Sequence, residues 1–219
     1  MLAAASLTGA FTELARELER SHEGAAVELH FAGTPQLVLQ IKEGARADVF
    51  ASADEANMRA VAAASACAEP PRVFARNHLA IVVAKGNPKR VARLADLASP
   101  TLKVALCAPR VPAGEYARQA LRSAGVTVAS VSDEPSVKAV VTKVALGEID
   151  AGIVYATDVR DARAGVDSVA VDPLHDVEAA YPIALLANGR SRDVGREFVE
   201  LVLSDRGRRI LLAHGFRSP

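Results

Sequence analysis

With 219 residues, half of them hydrophobic and 24% charged, the chain is long enough for one large domain or two small lobes. Its 26 Lys and Arg balance 26 Asp and Glu. The densest basic groups, Lys89 with Arg90 and Arg93, and Arg206 with Arg208 and Arg209, read as solvated surface, which argues against a nucleic-acid partner. Apolar runs such as LAIVVA at 79–84 fall far short of the roughly 20 residues of a membrane-spanning helix.

Residues 2–5 read as a short apolar strand end, Ser6 as an N-cap, and FTELARELERSH as a helix with Phe11, Leu14 and Leu18 on one face. After Gly24, VELHFAG alternates as a strand. It feeds the stretch 31–54, FAGTPQLVLQIKEGARADVFASAD, where Gly33 allows a sharp turn, Thr34 is the expected N-cap and Pro35 the first helical residue. Leu37, Val38 and Ile41 recur at helical spacing up to a stop at Gly44. ADVFAS reads as a buried strand, and Ser52 with Glu55 as a capping box for a helix through Met58 and Val61. A helix start such as that at Thr34 leaves N–H groups aimed beyond the cap, and with the hydroxyl and the helix dipole these suit a small anion.

Composition shifts at Pro70 and Pro71, after which HLAIVVAKGNP is a strand closed by a turn. A second βα series follows: LADL after a turn, the strand LKVALCA, the loop PRVPAG, the helix EYARQALRSAG and the strand VTVASV. Next come a helix opened by SDEPS that runs through Val137, Val140, Val141 and Val144, and the strand AGIVY. YPIALLA, a helix from about Val194 to Leu203 and a short one through Leu211 must pack back on the first series. The expected fold is therefore α/β, with two lobes that are each a βα sheet sandwich. Lobe I comprises residues 1–80 and 180–219, lobe II residues 81–179, and the chain crosses between them twice. An Ala- and Val-rich core without Trp suits this architecture.

The second series also offers helix starts. VPAGEY places Pro112, Ala113 and Gly114 at a loop-to-helix junction, DEPSV places Pro135 and Ser136 at another, and GIVYATD ends a buried strand with Tyr155 and a Thr-Asp cap. Cys67 and Cys107 form no C-x-x-C pair and read as two small buried residues, with a disulfide between them as the alternative. His22, His30, His78, His175 and His214 are dispersed without ligand spacing, so no metal cation site is expected. Hydrolase elbow, phosphate-loop, dinucleotide and zinc-protease motifs are absent, so neither an enzyme nor a cofactor is expected. Met1 falls immediately before LAAASL, where a first strand is expected to be already under way, so no signal peptide is read and the chain is expected to begin near a mature N-terminus.

The blocks AAASLTGAF, FAGTPQLVLQIKEGARADVFASAD, VPAGEYARQAL and GEIDAGIVYATD, in this order and spacing, resemble the molybdate-binding proteins of bacterial ABC importers, within the type II periplasmic binding protein superfamily. The resemblance runs from Leu2 to the GF at 215–216. It implies the two-lobe periplasmic binding protein fold, capture of molybdate and tungstate in an interlobe cleft, and delivery to an ABC permease. It also implies a monomer in the periplasm or on the extracellular face of the cytoplasmic membrane, free or lipid-anchored. Carried over by position, the oxyanion would be held by Ser6, Thr34, Ala113, Val137 and Tyr155: two hydroxyls from lobe I, with backbone groups and a Tyr from lobe II. Molybdenum would be bound only as the oxyanion.

Some positions depart from the family pattern. Thr34 stands where Ser is usual, and Pro35 replaces a Ser or Thr and removes a backbone donor; Arg46 replaces the Pro of GAPAD and reads as surface. Singly, Ser6 and Thr34 read as caps worth about 1 kcal/mol each and Tyr155 as a core residue; their joint occurrence carries the resemblance. Two rivals remain: a binding protein for another tetrahedral oxyanion such as sulfate, and the effector-sensing domain of a transcription regulator, whose helix-turn-helix would find no room before Leu2.

Overall fold

Short apolar strands alternating with amphipathic helices can cover both faces of a sheet, and the chain does this twice. The computed structural model describes residues 1–22, 26–64 and 66–219; the expected turn at Gly24 lies outside them. In chain order the elements are β1 (Leu2–Ala4), α1 (Thr8–Ser21), β2 (His30–Ala32), α2 (Thr34–Lys42), β3 (Val49–Ala51), α3 (Glu55–Ala63), β4 (Arg72–Asn77) and β5 (Leu79–Ala84). There follow β6 (Val104–Cys107), α4 (Pro112–Ser123), β7 (Ser130–Glu134), α5 (Val137–Ala145), β8 (Ala151–Tyr155), α6 (Ala156–Asp161) and β9 (Val166–Ala170). The chain closes with β10 (Ala179–Leu185), α7 (Arg192–Leu203) and α8 (Asp205–Ala213). Residues Met1–Arg76 and Ala180–Pro219 form one unit, and Asn77–Ala179 form a second.

The first unit is built on a sheet of order β2-β1-β3-β10-β4. Strands β2, β1 and β3 run parallel, with Ala4 opposite Ala32 and Ala3 opposite Ala51, whereas β10 lies antiparallel on β3. Leu37, Val38 and Ile41 of α2 and Met58 and Val61 of α3 pack with Phe50 and Ala184 into one buried cluster. A second cluster is aromatic: Phe11 meets Phe74 at 5.7 Å and Phe198 at 5.3 Å between ring centroids. Tyr181 stands edge-on to Phe74 and Phe216 at 6.4 and 5.4 Å.

The second unit has a sheet of order β7-β6-β8-β5-β9. Here β6 is parallel to β7 and β8, and β5 is antiparallel to both β8 and β9. Val140, Val141 and Val144 of α5 and Ala117, Ala120 and Leu121 of α4 are buried.

Several local expectations are corrected. The strand β7 runs on through Asp133 and Glu134, and α5 opens only after Ser136, which caps it by accepting the Ala139 N–H at 3.3 Å. Pro35 is the second residue of α2 and Gly33 its N-cap, the Gly33 carbonyl accepting from Gln36 at 3.0 Å. Helix α3 is capped by Asp54, which accepts the Asn57 N–H at 2.8 Å, and not by Ser52. In α5 the cause is Pro135, which disfavours helical backbone at the residue before it and so keeps Glu134 extended. Strands β4 and β9 lie at the sheet edges and have no clear signature in the sequence, since edge strands carry polar residues that blur the apolar pattern.

The start of α4 lies against the end of β6: a Cβ on Gly114 would strike the carbonyl oxygens of Cys107 and Ala108. Both are backbone atoms and cannot rotate away. Gly114→Ala should therefore cost roughly 1–3 kcal/mol by the usual penalty of overpacking, measured by denaturant unfolding; an unchanged midpoint would show that α4 can slide.

Candidate functional site

In the first unit the parallel strands β2, β1 and β3 end on one edge, where the segments that follow them also start. Ser6 follows β1 in a 3-10 turn, Ala5–Leu7, and is 2% exposed. It does not cap α1, whose N-cap is Leu7; its Oγ lies instead 2.9 Å from the hydroxyl of Tyr181. Thr34 follows β2 as the first residue of α2, equally buried, and also leaves the capping position to its neighbour. Its Oγ1 accepts the Ala53 N–H at 3.4 Å. An amide can only donate, so the Thr34 hydroxyl keeps its own proton for a further acceptor. Ser52, after β3, is already engaged with Asp54, donating to its carbonyl at 2.7 Å and accepting its N–H at 3.2 Å.

The second unit repeats the arrangement with β7, β6 and β8. Ala113 is the second residue of α4, 1% exposed. The amides of Gly114 and Glu115 turn back to the Val111 carbonyl at 2.8 and 3.0 Å, while the first-turn N–H of Ala113 has no intrahelical acceptor by helix geometry. Val137 is the first residue of α5 and Tyr155 the last of β8, 4% and 1% exposed. Ser6 and Thr34 thus share the strand edge of one unit, and Ala113, Val137 and Tyr155 share that of the other.

Charge at the second edge is balanced within the protein. Lys138, next to Val137, places Nζ 3.3 Å from Asp161 and 3.7 Å from Asp158. Asp158 is fully buried and accepts the Tyr155 N–H at 3.3 Å. Burial pushes its carboxyl up to about 7, with Lys138 pulling the other way. Thr157, equally buried, accepts from Asn77 at 2.8 Å. The sequence pattern marks Asp158 only as part of a cap and Tyr181 only as the opening of a strand. A hydroxyl at the head of an apolar run is the one sequence signal that points to Tyr181.

Cys67 and Cys107 are both free, and burial pushes the Cys107 thiol up, away from the reactive thiolate form. Among the described residues, no group of three or more His, Cys, Asp or Glu could hold a metal ion, and no helix is long and apolar enough to cross a membrane.

Residues 1–217 match the family model of bacterial extracellular solute-binding proteins. The molybdate-binding protein ModA of Mycobacterium tuberculosis is 41% identical over 219 residues, covering all of this chain and 84% of the relative. Among solved structures, the periplasmic molybdate-binding protein of Azotobacter vinelandii superposes with a TM-score of 0.87 at 18% identity, covering 100% of this chain and 98% of that one. The sulfate-binding protein SubI of Mycobacterium tuberculosis gives a TM-score of 0.81 at 18% identity over 99% and 85% of the two chains. At that identity the two structures speak for a shared fold alone, the two-lobe periplasmic binding protein architecture with a mixed sheet and flanking helices in each unit.

Asp158 has a measurable signature. The folded chain holds its proton up to about pH 7, whereas the unfolded chain releases it near pH 4. Its contribution to stability is therefore full below about pH 4 and lost as pH rises through about 7. Denaturant unfolding between about pH 5 and 8 should show the native protein losing roughly 2–3 kcal/mol relative to Asp158→Asn. Parallel pH curves for the two proteins would contradict this.

Proposed function

The chain belongs to the bacterial extracellular solute-binding protein family, and from that premise we propose that it captures molybdate, and tungstate with it, for an ABC importer. The observation that carries the reading is the 41% identity, across the whole chain, with a relative named for molybdate binding. It is a binding protein and not a catalyst, acting as a monomer outside the cytoplasmic membrane and handing its oxyanion to a membrane permease.

The chemistry of the two strand edges supports this. Molybdate and tungstate are fully ionised dianions at neutral pH, so they accept hydrogen bonds and have none to give. The proposed donors are the hydroxyls of Ser6 and Thr34, the backbone N–H groups at Ala113 and Val137, and the Tyr155 phenol. All are neutral. The negative charge is met by helix N-termini and aligned amides, because the adjacent cation, Lys138, is paired with Asp161. Pro35 has no N–H, so at the start of α2 Thr34 must serve through its hydroxyl and its own amide. A set made only of donors also disfavours hydrogenphosphate, which has a proton to place.

Titration calorimetry with molybdate, tungstate, sulfate and phosphate tests the assignment: the first two should bind tightly, the others weakly or not at all. Sulfate binding as tight as molybdate, or no binding of any, would overturn it. Tyr155→Phe should weaken molybdate binding by about 1–3 kcal/mol, as expected for one lost donor to an anion. Unaltered affinity would remove Tyr155 from the site.

A further inference from the structure

We propose that Tyr181 is a positioning residue that sets the direction of the Ser6 hydroxyl proton, and so tunes the site to oxyanions that carry no proton of their own. The inference rests on the reading of Ser6 as an oxyanion donor. Ser6 and Tyr181 are 175 residues apart in sequence, 2% and 0% exposed, with their oxygens 2.9 Å apart. Each hydroxyl has one proton, and only one of the two can donate across this contact.

The two directions have opposite consequences. If Ser6 donates to Tyr181, it turns lone pairs towards an incoming anion and repels it. If Tyr181 donates to Ser6, the Ser6 proton is released to point at the anion. The phenol is the more acidic hydroxyl and the better donor, and a dianion beside Ser6 favours the second arrangement further. Packing and backbone pairing hold the tyrosine ring in place. Phe74 and Phe216 abut it edge-on at 6.4 and 5.4 Å, and the following carbonyl, that of Pro182, accepts the Ser52 N–H at 2.9 Å.

Thr34 shows the same design with a fixed sign. Its oxygen accepts from the Ala53 amide, which cannot accept in return, so the Thr34 proton stays available to a further acceptor. On this reading Ser6 and Thr34 each accept from a protein donor and keep a proton for the oxyanion. Size is then not the only filter, because an oxyanion that must donate a proton finds no acceptor at either residue.

The test is a double-mutant cycle of Tyr181→Phe and Ser6→Ala, read by calorimetry with molybdate and with phosphate at neutral pH, alongside ligand-free melting to show that each variant folds. Tyr181→Phe should weaken molybdate binding about tenfold in the native background and have no further effect once Ser6 is alanine. It should also narrow the preference for molybdate over hydrogenphosphate, since a freed Ser6 oxygen can accept. An equal loss in both backgrounds would mean that Tyr181 acts through packing alone and would overturn the proposal, as would unchanged affinity and selectivity. If Ser6→Ala itself leaves molybdate affinity untouched, Ser6 is no oxyanion donor, and the site reading falls before the role of Tyr181 is reached.

Discussion

The antiparallel pairing of β10 on β3 is the constraint on which the first unit depends. The strand arrives after the whole of the second unit has been traversed, and its register sets Ile183 opposite Ala51 and Leu185 opposite Val49. An antiparallel strand enters a sheet at the edge where its parallel neighbours leave. The head of β10, with Tyr181, is therefore delivered to the edge at which β1, β2 and β3 end, and there it meets Ser6. In the second unit β5 does the same: Leu79 lies opposite Tyr155, so the Asn77 that precedes it reaches buried Thr157. Each unit thus receives its antiparallel strand at the edge that bears its candidate residues.

A second theme is the separation of charge from recognition. The residues at the two edges that would face an anion are hydroxyls and first-turn amides, while ionised groups nearby are paired among themselves. Lys138 pairs with the carboxylate of Asp161, and buried Asp158, 3.7 Å away, is kept close to neutrality by desolvation. Fixed dipoles of this kind need no counter-ion to be displaced when an anion arrives.

Much of the fold was legible from periodicity. The apolar spacing of Phe11, Leu14 and Leu18, of Leu37, Val38 and Ile41, and of Val137, Val140 and Val144 matches buried helix faces, and LAIVVA and AGIVY are buried strands. The errors cluster at helix starts and sheet edges. Ser6, Thr34 and Ser52 each resembled an N-cap, yet the caps are Leu7, Gly33 and Asp54. Capping depends on the backbone angles of the flanking residues, and a 3-10 turn or a competing side-chain acceptor one or two residues away shifts it without altering the residue pattern. The helix starts at Thr34, Ala113 and Ser136 and the strand end at Tyr155 were legible as local patterns, but the set of five candidate donors came from a resemblance of sequence blocks, because a hydroxyl beside a ligand and a hydroxyl closing a turn have the same spacing.

By itself the sequence determined the βα alternation, the small-residue core, the neutral character of the helix starts and the balance of charge, all of which follow from neighbours a few residues apart. Only the tertiary structure decided which strand lies beside which. With that it decided that Tyr181 partners Ser6, that the Ala53 amide partners Thr34, and that Asp158 is buried beside Lys138. The reason is physical. Helix and strand periods are local properties of the chain, whereas the proton direction of a buried hydroxyl is set by the group packed against it, which can come from any distance along the sequence.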